Sequence, residues 1–338
     1  MDEVLDYSET MMRAALRLLP DGEASFADVF DGDGVIAPGA QGDEPFTVRL
    51  SIRKRGDTIT ADFAGSDGQV PGPMNSPLTV TASRVYCALK MIADPKSLIP
   101  PNSGCWRPVT VTAPPGSVVN AQLPAPVVYA NHEISHRVAD MVMAAMFEIC
   151  PENVMAASQG TSAVATFGGV DPRNGDRYVS YESLKGGFGA RPVKDGINAV
   201  ASTTSNMMNT PIEILEISFP LRVEEYSLIP DSGGAGTWRG GLGVRRVWRV
   251  LGHEACRGLL RAQPDPTLWP RQRSPGRPDA PLARAIRRQQ APPQQQSRLH
   301  RATGWPSGNG GPRLGRLRPA LRARPRAAAR GSRRRVCH

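Results

Sequence analysis

The chain has 338 residues, 40% of them hydrophobic, enough for one large domain or two ordinary ones with a real core. No run of 18 apolar residues occurs, and the nearest candidate, 138–149, is too short and carries Asp140 and Glu148, so no membrane span is expected. The net charge of +10 suggests nucleic acid only until it is located: residues 257–338 hold 20 Arg, no Lys, and only Asp265 and Asp279, a net of +18 that leaves −8 on the first 256 residues.

The opening MDEVLDYSETMM is acidic and lacks an apolar h-region, so no signal peptide is expected. The five cysteines (Cys87, Cys105, Cys150, Cys256, Cys337) are scattered without a CxxC pair. This usage fits a reduced, cytoplasmic protein whose cysteines serve as packing residues.

In chain order, Asp6 or Ser8 is expected to cap a helix through YSETMMRAALRLL, with Met11, Met12, Ala15, Leu16 and Leu19 on its apolar face. FTVRLSIRKRGDTITADFAG reads as a hairpin turning at Arg55-Gly56-Asp57. SPLTVTASRVYCALKMIA reads as a helix, and CWRPVTVTAPPGSVVNA as short strands around a Pro-Pro-Gly turn. Asn131 is an N-cap candidate for the apolar helix HEISHRVADMVMAAMFEI, which ends before Pro151. AVATFGG, DRYVSYES, EILEISFPLRVEEYSLIP and GVRRVWRVL then read as strands between Gly-rich loops. DSGGAGTWRGG is expected to join two of them as a hairpin connection, with Trp238 packed on the core. Strands and helices mix without a βαβ rhythm, so the expected class is α+β, residues 1–255 forming one domain.

From Cys256 onward the periodicity stops and Arg, Pro, Ala, Gly and Gln dominate. Such a segment buries too little apolar surface to offset chain entropy, so 256–338 is expected to be a disordered tail. Twenty Arg with no Lys is also what GC-rich codons yield when read out of frame. An Arg-rich arm for nucleic acid is the functional alternative, and nucleic acid is not the expected partner.

One short pattern carries apparent chemistry. His132-Glu133-x-x-His136 matches the zinc-hydrolase signature, in which two His at i and i+4 share a helix face and the Glu acts as base on metal-bound water.

The order of LDYSETMMRAAL, ITADFAGSDGQVPGPMNSP, NSGCWRPVTVTAPPGSVVNA, NHEISHRVAD, YESLKGGFGARPVKDG, TTSNMMNTPIEILE, FPLRVEEYSLIPDSGGAGTWRGGLG and VLGHEA resembles the hydantoinase B family, from about Leu5 to Glu254. That family includes the B-type subunits of N-methylhydantoinases and the matching part of 5-oxoprolinase, with a related subunit in acetone and acetophenone carboxylases. The resemblance implies ATP-dependent opening of a small cyclic amide, such as a hydantoin or 5-oxoproline, or a related carboxylation. It implies a partner, an A-type subunit that binds ATP, and a divalent metal whose ligands lie in family segments preceding the LDYS-like helix. On this resemblance the chain is expected to be a central part of a family member, inactive by itself.

Within the family pattern Asn-x-Glu-x-Ser-x-Arg, the matching residues are Asn131, Glu133, Ser135 and Arg137, while His132 and His136 fall in variable slots. Asn131, Glu133 and Arg137 are therefore the candidate catalytic residues, and the zinc-hydrolase alternative ranks last. In KGGFGARPVKDG, Gly187 and Gly189 would let backbone approach a ligand that Arg191 could clamp as a carboxylate or phosphate. No Gly-Lys-Ser/Thr follows, so this is not an ATP loop. Gln159 and Asn209, with Thr161 and Asn206 near them in sequence, offer donors and acceptors to an imide or amide ring. Capping and loop structure are the competing roles for all of these residues.

Overall fold

The computed structural model describes residues 2–36, 43–251 and, for the backbone, 254–259. Helix α1 (Asp2–Arg17) starts earlier than the expected Asp6 or Ser8 cap. Asp2 and Glu3 occupy its first turn, where carboxylates suit the helix dipole. Ser8 is buried inside it, its hydroxyl donating to Val4 O and accepting from Asn102 Nδ2. Met12 and Leu16 form the buried stripe.

Strands β1 (Gly22–Phe30), β2 (Phe46–Arg55), β3 (Thr58–Asp62) and β4 (Val109–Thr112) make a sheet in the order β1-β2-β3-β4. The first two pairings are antiparallel and β3–β4 is parallel. The expected β2–β3 hairpin is present, with Gly56 at φ +54° in its turn, a conformation few other residues adopt without strain. Strand β2 alternates Val48, Leu50 and Ile52 inward, as period-2 patterning requires. β1 was not expected, because GEASFADVF has small and polar residues on its outer face and only two fully buried side chains, Asp28 and Phe30. After the Pro-Pro-Gly turn no second strand forms beyond isolated bridges at Ser117.

Helices α2 (Leu78–Ala93) and α4 (Ser135–Ile149) pack together, and α4 also packs on β1 and β2. The four-residue α3 (Ser103–Trp106) lies against α1 so closely that a Cβ on Gly104 would come within 2.0 Å of Leu5 O. Every residue of α4 from Ser135 to Met146 is buried, as expected of a helix apolar nearly all round. Cys105 and Cys150 join this core as packing residues.

Strands β5 (Val164–Val170), β6 (Arg177–Ser183) and β9 (Glu254–Leu259) form an antiparallel sheet in the order β6-β5-β9. The expected boundary at 255 falls inside β9, so the fold uses backbone to residue 259. The tail expectation for 260–338 lies outside the described residues. Between these strands EILEIS, expected as strand, forms helix α5 (Ile212–Ser218), which buries Leu215. Ile212 and Ile214 alternate with Glu213 like a strand, but Pro211 stands as the N-cap, its carbonyl accepting from the Leu215 N–H at 3.0 Å. Strands β7 (Leu221–Leu228) and β8 (Val244–Val250) pair as an antiparallel ribbon. Their connection contains Trp238, which is 38% exposed and not part of the core as expected. The mixed α+β class is confirmed: helices and strands share both cores.

Candidate functional site

The segment ahead of α4 does not cap it in the expected way. Residues Ala130–Ile134 form a single π-helical turn that runs into α4, and the Ser135 N–H reaches back to Ala130 O. Such wide turns displace side chains from the regular helical face and recur at functional sites. The Asn131 carbonyl that this leaves is taken by the Ser135 hydroxyl at 2.9 Å. The Asn131 side chain does not cap. Its Oδ1 accepts from Arg84 Nη2 of α2 at 2.5 Å.

The wide turn and the next two turns of α4 point polar side chains at the loops around β5 and β6. Glu133, 2% exposed, accepts from the Thr161 hydroxyl at 2.7 Å. The Gln159 amide donates to Thr161 O at 2.7 Å, fixing the loop that carries that hydroxyl. His132 meets the Tyr181 hydroxyl at 3.0 Å through Nε2, and its carbonyl accepts from Ser162 N–H. His136 Nδ1 lies 3.1 Å from Thr204 Oγ1, while Thr204 O accepts from Arg84 Nη1 at 3.2 Å. Asp140, a turn further, accepts from the hydroxyls of Thr203 (2.8 Å) and Ser158 (3.1 Å). Lys185, just past β6, is buried with its Nζ 3.5 Å from Ser183 Oγ.

Burial sets the protonation of this cluster. It drives the His136 imidazole down to about 3, assisted by the positive fields of Arg84, His132 and Lys185, so the ring is neutral at pH 7. It pushes the Asp140 carboxyl up to about 6, against the hydrogen bonds that favour its charged form. Burial also lowers His132, Lys185 and Arg84 and raises the Tyr181 phenol. Shifted groups gathered at one place are the mark of a working site, although ion-pair networks also produce them.

Of the expected site residues, Asn131, Glu133 and Gln159 come together here. Arg137 does not. Its Nε and Nη2 instead grip both oxygens of Asp28 on β1, and the guanidinium lies 4.7 Å over the Phe30 ring. Glu133 and Arg137 thus have different partners, Thr161 and Asp28, although they stand four residues apart. Gly187 and Gly189 approach protein backbone, not open space: a Cβ there would lie 2.1 Å from Gly241 O and 1.9 Å from Ala156 O. Arg191 clamps its own loop through Asp195 O at 2.8 Å. The Asn209 amide donates to the Tyr226 hydroxyl at 2.8 Å, on the exposed face of β7.

Arg84, Asp140, Lys185 and Thr204 were not foreseen, and His136 was expected only as a zinc ligand. Two of them carried a signal. Arg84 and Asp140 are ionisable residues set in the apolar helices α2 and α4, where a charge needs a partner.

The zinc-hydrolase geometry is absent from the His-Glu-x-x-His segment: His132 turns to Tyr181, His136 to Thr204, and Glu133 to Thr161. Among the described residues no three His, Cys, Asp or Glu side chains converge as a metal site. The described residues therefore do not fit a resident divalent metal, and no step is derived through one. No helix among them is long and apolar enough to cross a membrane.

The family model described as hydantoinase B/oxoprolinase matches residues 1–261, and the chain belongs to that family. It is 34% identical over 256 residues to the B-type subunit of a putative D-/L-hydantoinase of Pseudomonas sp. (strain NS671), covering 73% of this chain and 42% of that protein. The crystal structure of the ATP-dependent caprolactamase from Pseudomonas jessenii superposes with a TM-score of 0.65 at 33% identity, over 75% of this chain and 43% of that one. A nucleotide-free acetone carboxylase shares the fold at 18% identity and a TM-score of 0.66, over 76% of this chain and 35% of that one. The chain thus spans less than half the length of these relatives.

Proposed function

We propose that this chain is the B-type part of a cytoplasmic, ATP-dependent hydrolase of small cyclic amides, hydantoins or 5-oxoproline, working with an A-type subunit that binds ATP. Family membership across residues 1–261 carries this reading, supported by a relative named as part of a hydantoinase and another titled an ATP-dependent caprolactamase. The cluster at the π turn has the chemistry such a reaction uses. The Asn131 amide is exposed, and Gln159 fixes the Thr161 loop beside it through its own amide. The buried Glu133 carboxylate, held at 2.7 Å by Thr161, is the group assigned to orient and deprotonate the attacking water. ATP is assigned to the partner, and the divalent metal implied for the reaction is assigned to parts of the family protein that this chain does not span. The carboxylase alternative rests on a likeness of fold alone and is not favoured.

The test joins this chain to the preceding segments of a B-type hydantoinase protein, adds an A-type subunit, and follows ADP release with hydantoin, 5-oxoproline and caprolactam. Substrate-dependent ADP release lost in Glu133→Gln is the expected result. No ADP release with any of the three overturns the reading, and release that requires bicarbonate transfers it to the carboxylase class.

A further inference from the structure

Three basic side chains from three separate segments lie beside the π turn, and among the described residues none of them forms an ion pair with a carboxylate. Arg84 extends from α2, His136 from α4, and Lys185 from the end of β6. Thr204 ties the first two together, its carbonyl to Arg84 Nη1 at 3.2 Å and its hydroxyl to His136 Nδ1 at 3.1 Å. Lys185 is tied to the π turn through hydroxyls, its Nζ 3.5 Å from Ser183 Oγ, which lies 3.4 Å from Ser162 Oγ, while the Ser162 N–H donates to His132 O.

Their partners leave the charge uncompensated. Arg84 Nε is buried with no hydrogen-bond partner. Lys185 is 5% exposed, and its ammonium has a neutral hydroxyl at 3.5 Å. The carboxylate whose field reaches Lys185 is Glu182, which is already committed to Arg246 at 2.9 Å. Buried cations left like this are costly to the folded state unless an anion joins them. In the tautomer whose Nδ1 accepts from Thr204, the neutral His136 ring carries its proton on Nε2, where it can be offered to an oxygen. The outer rim is open, since Asn131 is exposed and Tyr181 is 47% exposed.

We propose that Arg84, His136 and Lys185 form an oxyanion-binding site that takes the phosphoryl or carboxylate group of a small substrate. The identity of the molecule that carries the anion rests on the hydrolase reading: an ATP-activated amide bears a phosphoryl group, and an opened ring bears a carboxylate. The site places that group within the same cluster as Glu133 and Asn131, so it also orients the amide carbon beside them.

The full chain is titrated at pH 7 with inorganic phosphate and, separately, with acetate, while the ¹⁵N resonances of the His136 ring are followed. This readout is local, so anions held by the Arg-rich segment after residue 256 do not register. A saturable shift is expected, weakened about ten-fold or more in Lys185→Met and in Arg84→Gln. A shift with phosphate assigns the phosphoryl group, and one with acetate alone assigns the carboxylate. No shift with either anion in the unmodified chain overturns the site, as does a shift that both variants leave unchanged. Failure here with ADP release intact removes this site alone. Absent ADP release with the His136 shift intact removes the hydrolase reading alone.

Discussion

Residues 2–155 gather Met12, Ile52, Phe63, Leu89, Ile92 and Ile134 into one extensive apolar cluster, whereas residues 164–250 share only Ala165, Phe167, Leu215, Leu221 and Trp248. The second region leans on polar devices instead. Arg246 and Glu182 pair at 2.9 Å with both side chains almost fully buried, and the guanidinium lies 5.1 Å over the rings of Tyr226 and Trp248. Its Gly-rich loops pack backbone on backbone, as at Gly187 and Gly241. The seam between the regions is polar too, made by Glu133, His136 and Asp140 against Thr161, Thr204, Ser158 and Thr203. A large dry core thus presents one helix whose polar residues face a smaller, less apolar partner. Opening the smaller region would expose the seam while sacrificing little apolar surface.

The sharpest way to break this contrast is to damage the larger region through a charge. Asp28→Asn leaves Arg137 buried without its counter-ion, and a loss of about 3–5 kcal/mol is expected in urea unfolding. If the loss is under about 1 kcal/mol, the pair is a solvated contact and the first region is held by apolar packing alone. Phe167→Ala in the second core is expected to cost about 3–5 kcal/mol if that core is as tightly packed as its burial implies. A separate early transition in this variant, with the first region still folded, would show the two regions unfolding independently.

The seam is probed through pH. His136 is held down to about 3 when folded, below its ordinary 6.5, so the unfolded chain binds the extra proton and stability rises with pH between those values. Asp140 is held up to about 6, above its ordinary 3.8, so the folded chain binds the extra proton and stability falls as pH rises between 3.8 and 6. The two contributions oppose each other from about pH 4 to about pH 6. Asp140→Asn should unmask the rise due to His136, a slope approaching about 1.4 kcal/mol per pH unit relative to wild type in urea midpoints. An unchanged slope would show that these two groups do not titrate as their burial requires.

Thr161→Val removes a donor from the buried Glu133 carboxylate and is expected to cost about 1–3 kcal/mol. Threonine and valine are similar in shape, so a near-zero effect would mean that the bond does not hold the seam. The smallest change is Arg53→Ala, which breaks an exposed pair with Glu23 and should shift stability by no more than about 1 kcal/mol.

Where a pattern was strong and local, it was readable. The β2–β3 hairpin, α2, α4 and the ribbon strand β8 follow from periodicity and turn residues. β1 escaped because its outward residues are mostly small or polar and its inward ones include Asp28, whose partner lies 109 positions away. EILEIS misled because isoleucines alternate in it, while the neighbouring Pro211 and the packing of Leu215 select a helix. At the site, Asn131 and Glu133 were legible as polar residues beside an apolar helix. Arg137 is committed to Asp28 on β1, a partnership across 109 positions that no local pattern shows.

The amino-acid sequence by itself determined the mixed class, the family, and the acidic body with its Arg-rich end, since each depends on composition or on the order of motifs along the chain. Only the tertiary structure decided which polar groups meet. Arg84, His136 and Lys185 are separated by 52 and 49 positions along the chain, and no local spacing relates them. Their meeting depends on how α2 and α4 cross and on where the β6 loop returns. Those arrangements are set by apolar packing, which is non-directional and leaves no motif.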